Sequence, residues 1–398
     1  MKRILWIASR FPYPLLSGDV IYTTGLLKGL QKLDAKVTLL TNANGVKKSD
    51  IEAFKDSFPE ISLKLVKQPR RRRFLSVFSK MPSDAFSLGN QSMFVEFNRL
   101  IEKHWDAVFI DHLAACFDPN QLKLLSKSCV ISYVAHNVEA KIRPEIANAT
   151  SWFLPQKYFL IFDAFKYAKL EKQLVNIAQN IICISNSDKM FFEKLGVNIF
   201  HVPALYFKEP NIGLNIKQRP KKALLLGSYQ WIAKWRNLLQ FLDSAKNYNA
   251  GSELPEIDVV GSLRKKLPIM SNEVAKKVNI HGRVDDVMIF LQNARIGIVA
   301  EDLGGGFKLK LLDYGLNGVP IFCLKNAISD ASLIHGTHVH ICNNMNELIQ
   351  DISRNIDNDD YLEKLQQNAF EYFSKKHNEF TVVSELQNLL RDKKNLIK

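Results

Sequence analysis

Short apolar runs alternate along the chain with longer stretches in which apolar residues recur every three or four positions. The apolar runs predict strands buried on both faces, and the helical recurrence predicts amphipathic helices. Strands are predicted at 4–8, 37–40, 61–66, 107–110, 130–135, 181–184, 223–226, 257–260, 278–280, 296–300, 319–324 and 339–342. Helices are predicted between them, for example at 19–33, 90–104 and 163–179. Because the two patterns alternate, we expect an α/β fold with parallel sheets covered by helices.

The pattern is interrupted near the middle of the chain. Residues 203–220 hold three prolines and one glycine, a composition typical of an interdomain linker. A chain of 398 residues also exceeds one ordinary hydrophobic core. We therefore expect a first domain at 1–205, a second at 206–375, and a C-terminal helix at 376–398 that packs back toward the first domain.

One strand-to-helix connection has the composition of an anion-binding loop. Three glycines at 304–306 follow the apolar run 296–300, and a helical pattern begins at Phe307. Glycines let the backbone approach a ligand, and the N–H groups of a helix start favour an anion such as phosphate. Lys308 and Lys310 fall in the predicted first turn, where the helix dipole favours acids, so we expect a negative ligand beside them. The alternative is a tight turn with solvated lysines.

The composition, 46% hydrophobic and 24% charged, is that of a soluble globular protein. Its 54 Lys and Arg against 40 Asp and Glu give a net charge of +14, which favours anionic partners. The first ten residues hold too short an apolar run for a signal peptide, and no later run has the length of a membrane-spanning helix. Five cysteines without paired spacing indicate small buried hydrophobes in a reducing cytoplasm.

A basic segment lies beside apolar residues in the first half. It contains four consecutive arginines followed by an aromatic residue: Arg70, Arg71, Arg72, Arg73 and Phe74. Such a segment favours contact with an anionic membrane surface, each cation contributing about 1 kcal/mol. A surface loop whose apolar residues pack on its own domain is the alternative. Nucleic acid is not expected as a partner, because the other basic residues lack aromatic interleaving and nucleic-acid motifs.

Polar residues follow several predicted strands, where parallel sheets bind their ligands. Gly18 lies in the proline-rich loop after the first strand, His112 follows the fourth strand beside Asp111, and His136 follows the fifth. We expect them to converge on one rim of the sheet. No metal site is expected, because the histidines at 335, 338 and 340 have no convergent acid or cysteine.

Over nearly its whole length the chain resembles the GT-B-fold, retaining glycosyltransferases of glycosyltransferase family 4. The first strand with its proline-rich loop and Gly18 is one point of resemblance. The others are Val134-Ala-His-Asn-Val-Glu139, Ile182-Cys-Ile-Ser-Asn-Ser187, Gly227-Ser-Tyr-Gln-Trp231, Gly282-Arg-Val-Asp285 and Gly304-Gly-Gly-x-Lys-x-Lys-x-Leu-Asp313. The resemblance implies two Rossmann-like parallel-sheet domains facing across a cleft, the first on the acceptor side and the second binding a nucleotide sugar.

The resemblance also implies roles for individual residues. The donor-binding set is Gly18, Gly227, Ser228, Lys234, Val284, Gly304, Gly305, Gly306, Lys308 and Asp313. Within it, the lysines match phosphate-binding positions, Asp313 would accept the ribose hydroxyls, and the backbone around Val284 would read the base. The catalytic set is His136, His112, Lys308 and Asp313, and Glu139 would orient His136 or the acceptor.

The chain departs from the family pattern at three positions. Gly305 and Asp313 stand where two glutamates are common, and Ser228 stands where an arginine is common. The contact that the first glutamate makes with the sugar would come from Glu301 or Asp302, or would be absent.

The resemblance implies retaining transfer of a sugar from a nucleoside-diphosphate sugar to a lipid-linked or lipopolysaccharide-type glycan. Fixed cations stabilise a departing diphosphate, so neither metal nor cofactor is expected. The expected location is the cytoplasm, with peripheral binding to the inner face of the cytoplasmic membrane. A nucleotide-sugar epimerase and a degenerate binding or scaffolding subunit remain as alternatives. A nicotinamide dehydrogenase is not expected, because no Gly-x-Gly-x-x-Gly follows the first strand. The sequence indicates neither the sugar, the acceptor nor the oligomeric state.

Overall fold

The computed structural model describes residues 1–150, 154–248, 253–267, 276–328 and 332–391. The chain divides into two compact units, Met1–Leu205 together with the chain from Glu379, and Tyr206–Asn378. The end of the predicted C-terminal helix, residues 392–398, lies outside the described residues.

The first unit is built on a parallel sheet. Its strands are β1 (Arg3–Ala8), β2 (Lys36–Asn42), β3 (Ser62–Val66), β4 (Ala107–Asp111), β5 (Val130–Ala135), β6 (Asn180–Cys183) and β7 (Asn198–His201). They lie in the order β3-β2-β1-β4-β5-β6-β7, and every neighbouring pair is parallel. Six were predicted. The seventh, β7, is a short, half-buried edge strand, so it lacks the fully apolar run that marks the others.

Helices connect these strands. They are α1 (Gly18–Lys32), α2 (Lys48–Ser57), α3 (Ser83–Leu88), α4 (Gln91–Ile101), α5 (Pro119–Leu125), α6 (Glu139–Asn148), α7 (Pro155–Ile177) and α8 (Asn186–Glu193). A 3-10 turn, Arg73–Phe78, precedes α3. At the centre of the sheet the ring of Trp6 on β1 stacks on Phe109 of β4, with 4.8 Å between centroids. Central strands buried on both faces give this sheet its continuous apolar runs.

The second unit repeats the plan with six strands. They are β8 (Lys222–Leu226), β9 (Glu256–Val260), β10 (Val278–Gly282), β11 (Ile296–Val299), β12 (Ile321–Leu324) and β13 (His340–Cys342). The order is β10-β9-β8-β11-β12-β13, again parallel throughout. The helices are α9 (Ile232–Lys246), α10 (Met288–Asn293), α11 (Lys310–Gly315), α12 (Met345–Asn355) and α13 (Asp359–Lys376).

The last helix, α14 (Glu379–Arg391), belongs to the first unit. It packs on α1, where a Cβ at Gly29 would lie 2.5 Å from Leu386 Cδ1. Glu379 pairs with Lys28 at 3.6 Å and Lys32 at 3.2 Å. Close backbone approach therefore requires glycine at position 29.

The boundary between the two units falls within the predicted linker, after Leu205. The rest of that segment packs against the second unit. The Arg219 side chain is buried and donates to the carbonyls of Leu214 at 3.0 Å, Ala294 at 2.9 Å and Ile212 at 3.0 Å. Burial lowers the pKa of Arg219 to about 10. Composition alone indicated a linker because prolines interrupt secondary structure, but the buried guanidinium ties residues 212–219 to the second unit.

Each sheet reverses its strand order once, between β1 and β4 in the first unit and between β8 and β11 in the second. Ligands of doubly wound sheets bind outside the carboxyl ends of the strands at such reversals. The predicted α/β class, with two Rossmann-like parallel-sheet domains, is confirmed. No helix within the described ranges combines the length and apolar character needed to cross a bilayer.

Candidate functional site

The reversal in the first unit places an aspartate beside a histidine. Asp111 ends β4 opposite Ala8 of β1, and His136 follows β5. His136 Nε2 lies 2.6 Å from Asp111 Oδ1. The other carboxylate oxygen accepts from Trp6 Nε1 at 2.9 Å and Thr23 Oγ1 at 2.7 Å. Burial acts to lower the pKa of His136, but the hydrogen bond and charge of Asp111 raise it above its ordinary value. The carboxylate therefore fixes the orientation of the imidazole.

The second predicted histidine has a strained backbone. His112 adopts φ 71° with ψ 145°, a conformation that costs a non-glycine residue about 1–3 kcal/mol. Its Nδ1 accepts from the Ala114 N–H at 3.3 Å, and its Nε2 lies 3.4 Å from Glu139 Oε1. Burial lowers the pKa of His112, with Glu139 opposing the shift. The two histidine rings lie 5.5 Å apart, so the structure brings His112 and His136 together, as expected from their positions after β4 and β5.

The Glu139 carboxylate is held by Arg143 and His112. Arg143 Nε lies 2.5 Å from Glu139 Oε2, and Arg143 Nη2 lies 3.1 Å from Asp84 Oδ2. Asp84 in turn pairs with Arg73 at 2.7 Å. Alternating charges thus run from His112 to the surface segment at Arg73. Glu139 therefore contacts His112, and its predicted contact with the acceptor stays a prediction.

The N-terminus of α6, which follows His136, is capped within the chain. The N–H groups of Glu139 and Ala140 donate to Glu171 Oε1 at 3.0 Å and Oε2 at 2.8 Å. The Tyr133 hydroxyl donates to the same carboxylate at 3.2 Å. Burial raises the pKa of Glu171 to about 7, although the two N–H donors act against the shift. A carboxylate of the chain already occupies this helix start, so these two N–H groups have their acceptor within the unit.

Gly18 is the exposed first residue of α1 in the first unit. The other nine residues of the predicted donor-binding set belong to the second unit. Beside Gly18, Asp19 pairs with Arg10 at 3.2 Å.

In the second unit, a buried acid follows β11 and holds two lysines. Glu301 Oε1 lies 2.7 Å from Lys310 Nζ, and its Oε2 lies 3.5 Å from Lys308 Nζ. Burial acts to raise the pKa of Glu301, but the charges of Lys310, Lys308 and Lys234 lower it far below its ordinary value. Burial lowers the pKa of both Lys308 and Lys310, and Glu301 opposes that shift. The acid and its three lysines are called the lysine cluster below.

The helix after the glycine loop begins later than predicted. The helix α11 begins at Lys310, so Lys308 precedes it instead of lying in its first turn. Lys308 Nζ bends back and donates to the carbonyls of Gly304 at 2.6 Å and Gly305 at 2.8 Å. Glu301 supplies one negative partner for these lysines from within the chain, and the expected negative ligand stays a prediction. A helix of six residues also carries little dipole, so the charge of this site comes from its side chains.

The glycine loop has a defined conformation. Gly304 has φ 97° and faces the Trp231 ring, 3.1 Å from where a Cβ would stand. Asn237 on α9 donates to the Leu303 carbonyl at 2.9 Å and accepts from the Leu303 N–H at 3.0 Å. The loop therefore presents its backbone in one arrangement, with Gly306 also at positive φ, 75°.

A small pocket of about 10 Å³, room for about one water molecule, lies beside the lysine cluster at the ends of β8 and β11. Its lining includes Tyr229, Lys234, Asn237, Glu301 and Lys310. The predicted Gly227 follows β8 directly, and a Cβ on its neighbour Gly261 would overlap the Gly227 carbonyl at 1.5 Å. Lys310 was expected beside a negative ligand but was left out of the predicted donor-binding set. The Lys310 side chain points inward because its ammonium pairs with Glu301. The local sequence pattern does not reveal that Glu301 is buried.

Three further predicted residues lie around this unit's loops. Asp313 is half-buried on α11, and burial raises its pKa to about 6 against the charges of Lys208 and Lys310. Ser228 is exposed after β8, and Val284 is half-buried in the turn that follows β10. Their predicted contacts with the nucleoside of a donor stay predictions.

An acid and a cysteine lie close to His340, so the prediction that neither would converge on the histidines is wrong. His340 Nε2 lies 2.8 Å from Asp351 Oδ2, its Nδ1 lies 2.7 Å from the Tyr361 hydroxyl, and Cys342 Sγ lies 3.7 Å from Asp351. The ring also stacks on Phe322 at 4.5 Å. Both ring nitrogens already have partners, which is the pattern of a structural hydrogen-bond network.

The predicted membrane segment is partly engaged with its own unit. Arg70 donates to the Ser9 carbonyl, Arg71 lies 5.3 Å from the Phe86 ring centroid, and Arg73 pairs with Asp84. Arg72 and Phe74 are exposed. The four arginines are therefore not equivalent, because only part of the run is available to an external surface.

Comparison by sequence finds no relative: no protein-family model and no curated protein matches this chain.

Comparison by structure finds glycosyltransferases. Sucrose-phosphate synthase from Thermosynechococcus elongatus has a TM-score of 0.70 at 14% identity, with 98% of each chain covered. The Anabaena protein HepE in complex with UDP-glucose has a TM-score of 0.62 at 12% identity, covering 98% of this chain and 99% of its own. WaaB, a lipopolysaccharide outer core galactosyltransferase, has a TM-score of 0.61 at 13% identity, with 98% and 99% covered.

At such low identity the likeness concerns the fold. The neighbours are GT-B glycosyltransferases, and their match extends over both sheets of this chain. The chain therefore has the GT-B fold, with a seven-stranded and a six-stranded Rossmann-like domain.

Proposed function

We propose that this chain is a glycosyltransferase that takes a sugar from a nucleoside-diphosphate sugar. The observation that carries the proposal is the lysine cluster at the carboxyl ends of β8 and β11. Three ammonium groups around one carboxylate leave an excess of two positive charges, which a diphosphate matches. The fold neighbours solved with UDP and UDP-glucose support the nucleotide sugar as the class of donor.

The lysine cluster suits the departure of a diphosphate. Breaking the anomeric C–O bond leaves negative charge on the diphosphate while an oxocarbenium-like sugar forms. Lys234 and Lys310 line the pocket and would contact the departing phosphates, while Lys308 holds the glycine loop by its carbonyls. A fixed donor aimed at developing charge is worth about 3–4 kcal/mol. Because these cations supply the charge, we propose that the reaction needs no metal.

The histidine pair is proposed to contact the sugar or the acceptor. A carboxylate only accepts hydrogen bonds, so His136 donates its Nε2–H to Asp111 and keeps Nδ1 for a ligand. The departing phosphate can take the proton of the acceptor, so a strong protein base is not required. We propose on this basis a retaining hexosyl transfer, with His136 and His112 as hydrogen-bonding groups.

The acceptor is proposed to be a lipid-linked or lipopolysaccharide-type glycan, reached from the cytoplasmic side of the membrane. The net charge of +14 supports binding to an anionic surface. The fold neighbour WaaB, a lipopolysaccharide outer core galactosyltransferase, supports this class of acceptor.

A nucleotide-sugar-binding subunit without turnover is the second candidate. Gly305 stands at the position of an expected acid, and the Lys308 ammonium is occupied by carbonyls of its own loop. Turnover separates the candidates: release of nucleotide that depends on an acceptor indicates a transferase, and binding without release indicates a subunit. A changed sugar released without acceptor would indicate an epimerase.

Thermal unfolding with a panel of nucleoside diphosphates tests the proposed donor site. The nucleotide that fits should raise the unfolding temperature by about 5–10 °C at a hundredfold excess over its Kd. The corresponding nucleosides, which lack phosphate, are the control and should give little shift. Added EDTA should leave both the shift and the sugar transfer unchanged. A panel without any shift contradicts the proposed donor site, and complete loss with EDTA contradicts the metal-free scheme.

Acid pH should weaken nucleotide binding through Asp313. Burial raises its pKa to about 6, so the carboxylate takes up a proton as the pH falls through that value. If the ionised form accepts the ribose hydroxyls, affinity should fall about tenfold between about pH 7 and pH 5. The control is Asp313→Asn, which keeps the titration of the phosphate but has no carboxylate. Calorimetric titrations that give identical pH profiles for both proteins would remove Asp313 from the site.

A further inference from the structure

The 3-10 turn Arg73–Phe78 exposes most of its apolar side chains. Phe74, Leu75, Val77 and Phe78 are all exposed, and Phe78 reaches 89%. Ser76, which lies among them, is buried. The apolar groups therefore point away from the unit, contrary to the alternative in which they pack on their own domain.

The first half of α7 exposes a second apolar face. Tyr158, Phe162 and Phe165 recur at helical spacing and are exposed, with Phe165 at 72%. Leu154, before the helix, is exposed as well. This face was not predicted, because the helical pattern was assigned only to residues 163–179.

The two faces form one surface. Lys166 of α7 donates from Nζ to the Ser76 carbonyl at 2.5 Å, in the middle of the 3-10 turn. Asp163 of α7 accepts from the Ser83 N–H at 2.8 Å and from its hydroxyl at 2.6 Å. These bonds hold residues 76–83 against α7. Exposed apolar residues gathered in this way are typical of an interaction site.

Positive charge predominates around this surface, with Lys166 buried and Asp84, next to Ser83, paired with Arg73. Residues 70–83 and 154–170 hold eight lysines and arginines, and their one acid, Asp163, is buried. Exposed aromatic rings with cations around them match an anionic bilayer, which takes the rings at its headgroup level and attracts the cations.

We propose that this surface, formed by the 3-10 turn and the first half of α7, binds an anionic lipid bilayer. A second copy of this chain fits less well, because a two-fold interface would place the same cationic patch on itself. The peripheral membrane binding proposed above would occur through this surface, whether or not the chain transfers sugar. Through Arg73, Asp84 and Arg143 the surface is also connected to the histidine pair, where a lipid-anchored acceptor would be needed.

Co-sedimentation of the full chain with lipid vesicles tests the proposal. The protein should sediment with vesicles containing phosphatidylglycerol and remain in solution with pure phosphatidylcholine. The double variant Phe78→Ser, Phe165→Ser should bind about tenfold more weakly, since each ring loses apolar contact. The double variant Arg72→Ser, Lys80→Ser should bind about 25-fold more weakly at low salt. Arg70 and Arg73 are left intact, because both contact their own unit.

The matched control is Phe380→Ser on α14, a helix that packs on α1. Phe380 is as exposed as the test residues, at 83%, and its replacement should leave vesicle binding unchanged. Circular dichroism and the nucleotide-induced thermal shift verify that each variant is folded. Equal binding to both vesicle types, or full binding by the phenylalanine variant, would overturn the proposal. So would a stable dimer in light scattering that the phenylalanine variant dissociates while vesicles stay unbound.

Discussion

Replacing Lys308 with alanine is expected to lower the rate of sugar transfer at least about a hundredfold, equivalent to about 2.7 kcal/mol of transition-state stabilisation. The substitution removes the donor that holds the carbonyls of Gly304 and Gly305 and one of the cations around Glu301. The glycine loop then loses its fixed arrangement beside the pocket. The measurement is kcat/KM with the nucleotide sugar identified by the thermal-shift panel.

Loss of folding must be separated from loss of chemistry, because Lys308 is buried with Glu301. Lys234→Ala provides the comparison, since Lys234 lines the same pocket but is only half-buried. It should also lower transfer strongly while changing the unfolding temperature little. The surface variant Lys246→Met, at the exposed end of α9, serves as the control for lost positive charge. Normal transfer by Lys308→Ala would show that the lysine cluster is structural.

Replacing Asp84 with asparagine is expected to destabilise the first unit by about 3 kcal/mol, which lowers its unfolding temperature by about 6–12 °C. Asp84 joins Arg143 at 3.1 Å, Arg73 at 2.7 Å and the Tyr167 hydroxyl at 2.6 Å. Burial acts to raise the pKa of Asp84, but Arg143, Arg73 and Tyr167 lower it well below its ordinary value. An asparagine leaves Arg143 buried with a single carboxylate partner, Glu139.

The pH dependence has a definite sign. A carboxyl whose pKa is lowered by folding stabilises the protein above its unfolded pKa and loses that effect as the pH falls toward its folded value. The difference between wild type and Asp84→Asn should therefore be full at neutral pH and shrink in acid. Differential scanning calorimetry measures it, with Asp56→Asn on the exposed face of α2 as the control. An unchanged unfolding temperature would mean that the ion pairs of Asp84 contribute nothing to stability.

Local pattern was sufficient for most of the fold. A central parallel strand is buried on both faces, so β1, β4 and β11 are visible as continuous apolar runs. The edge strand β7 is half-buried and has no such run, and it was missed. The candidate residues at strand ends were found for the same reason, since a ligand-binding residue in this class follows its strand directly. His112 and His136 are examples, whereas the glycines at 304–306 lie five to seven residues after β11 and were noted for their composition.

The sequence did not indicate which side chains contact each other in the first unit, because these contacts join distant parts of the chain. Asp84 and Arg143 are 59 positions apart, and Trp6 and Asp111 are 105 positions apart. The exposed face of α7 was also hidden, because an apolar helix face is normally covered.

By itself the sequence determined that two parallel α/β sheets form and that basic and glycine-rich segments follow their strands. These properties depend on periodicity and chain order, which are local. Only the tertiary structure decided where the charges point: Glu301 inward between Lys308 and Lys310, and the rings of Phe78 and Phe165 outward. Burial is settled by what the rest of the chain packs against each residue, and the order of amino acids along one segment does not contain that information.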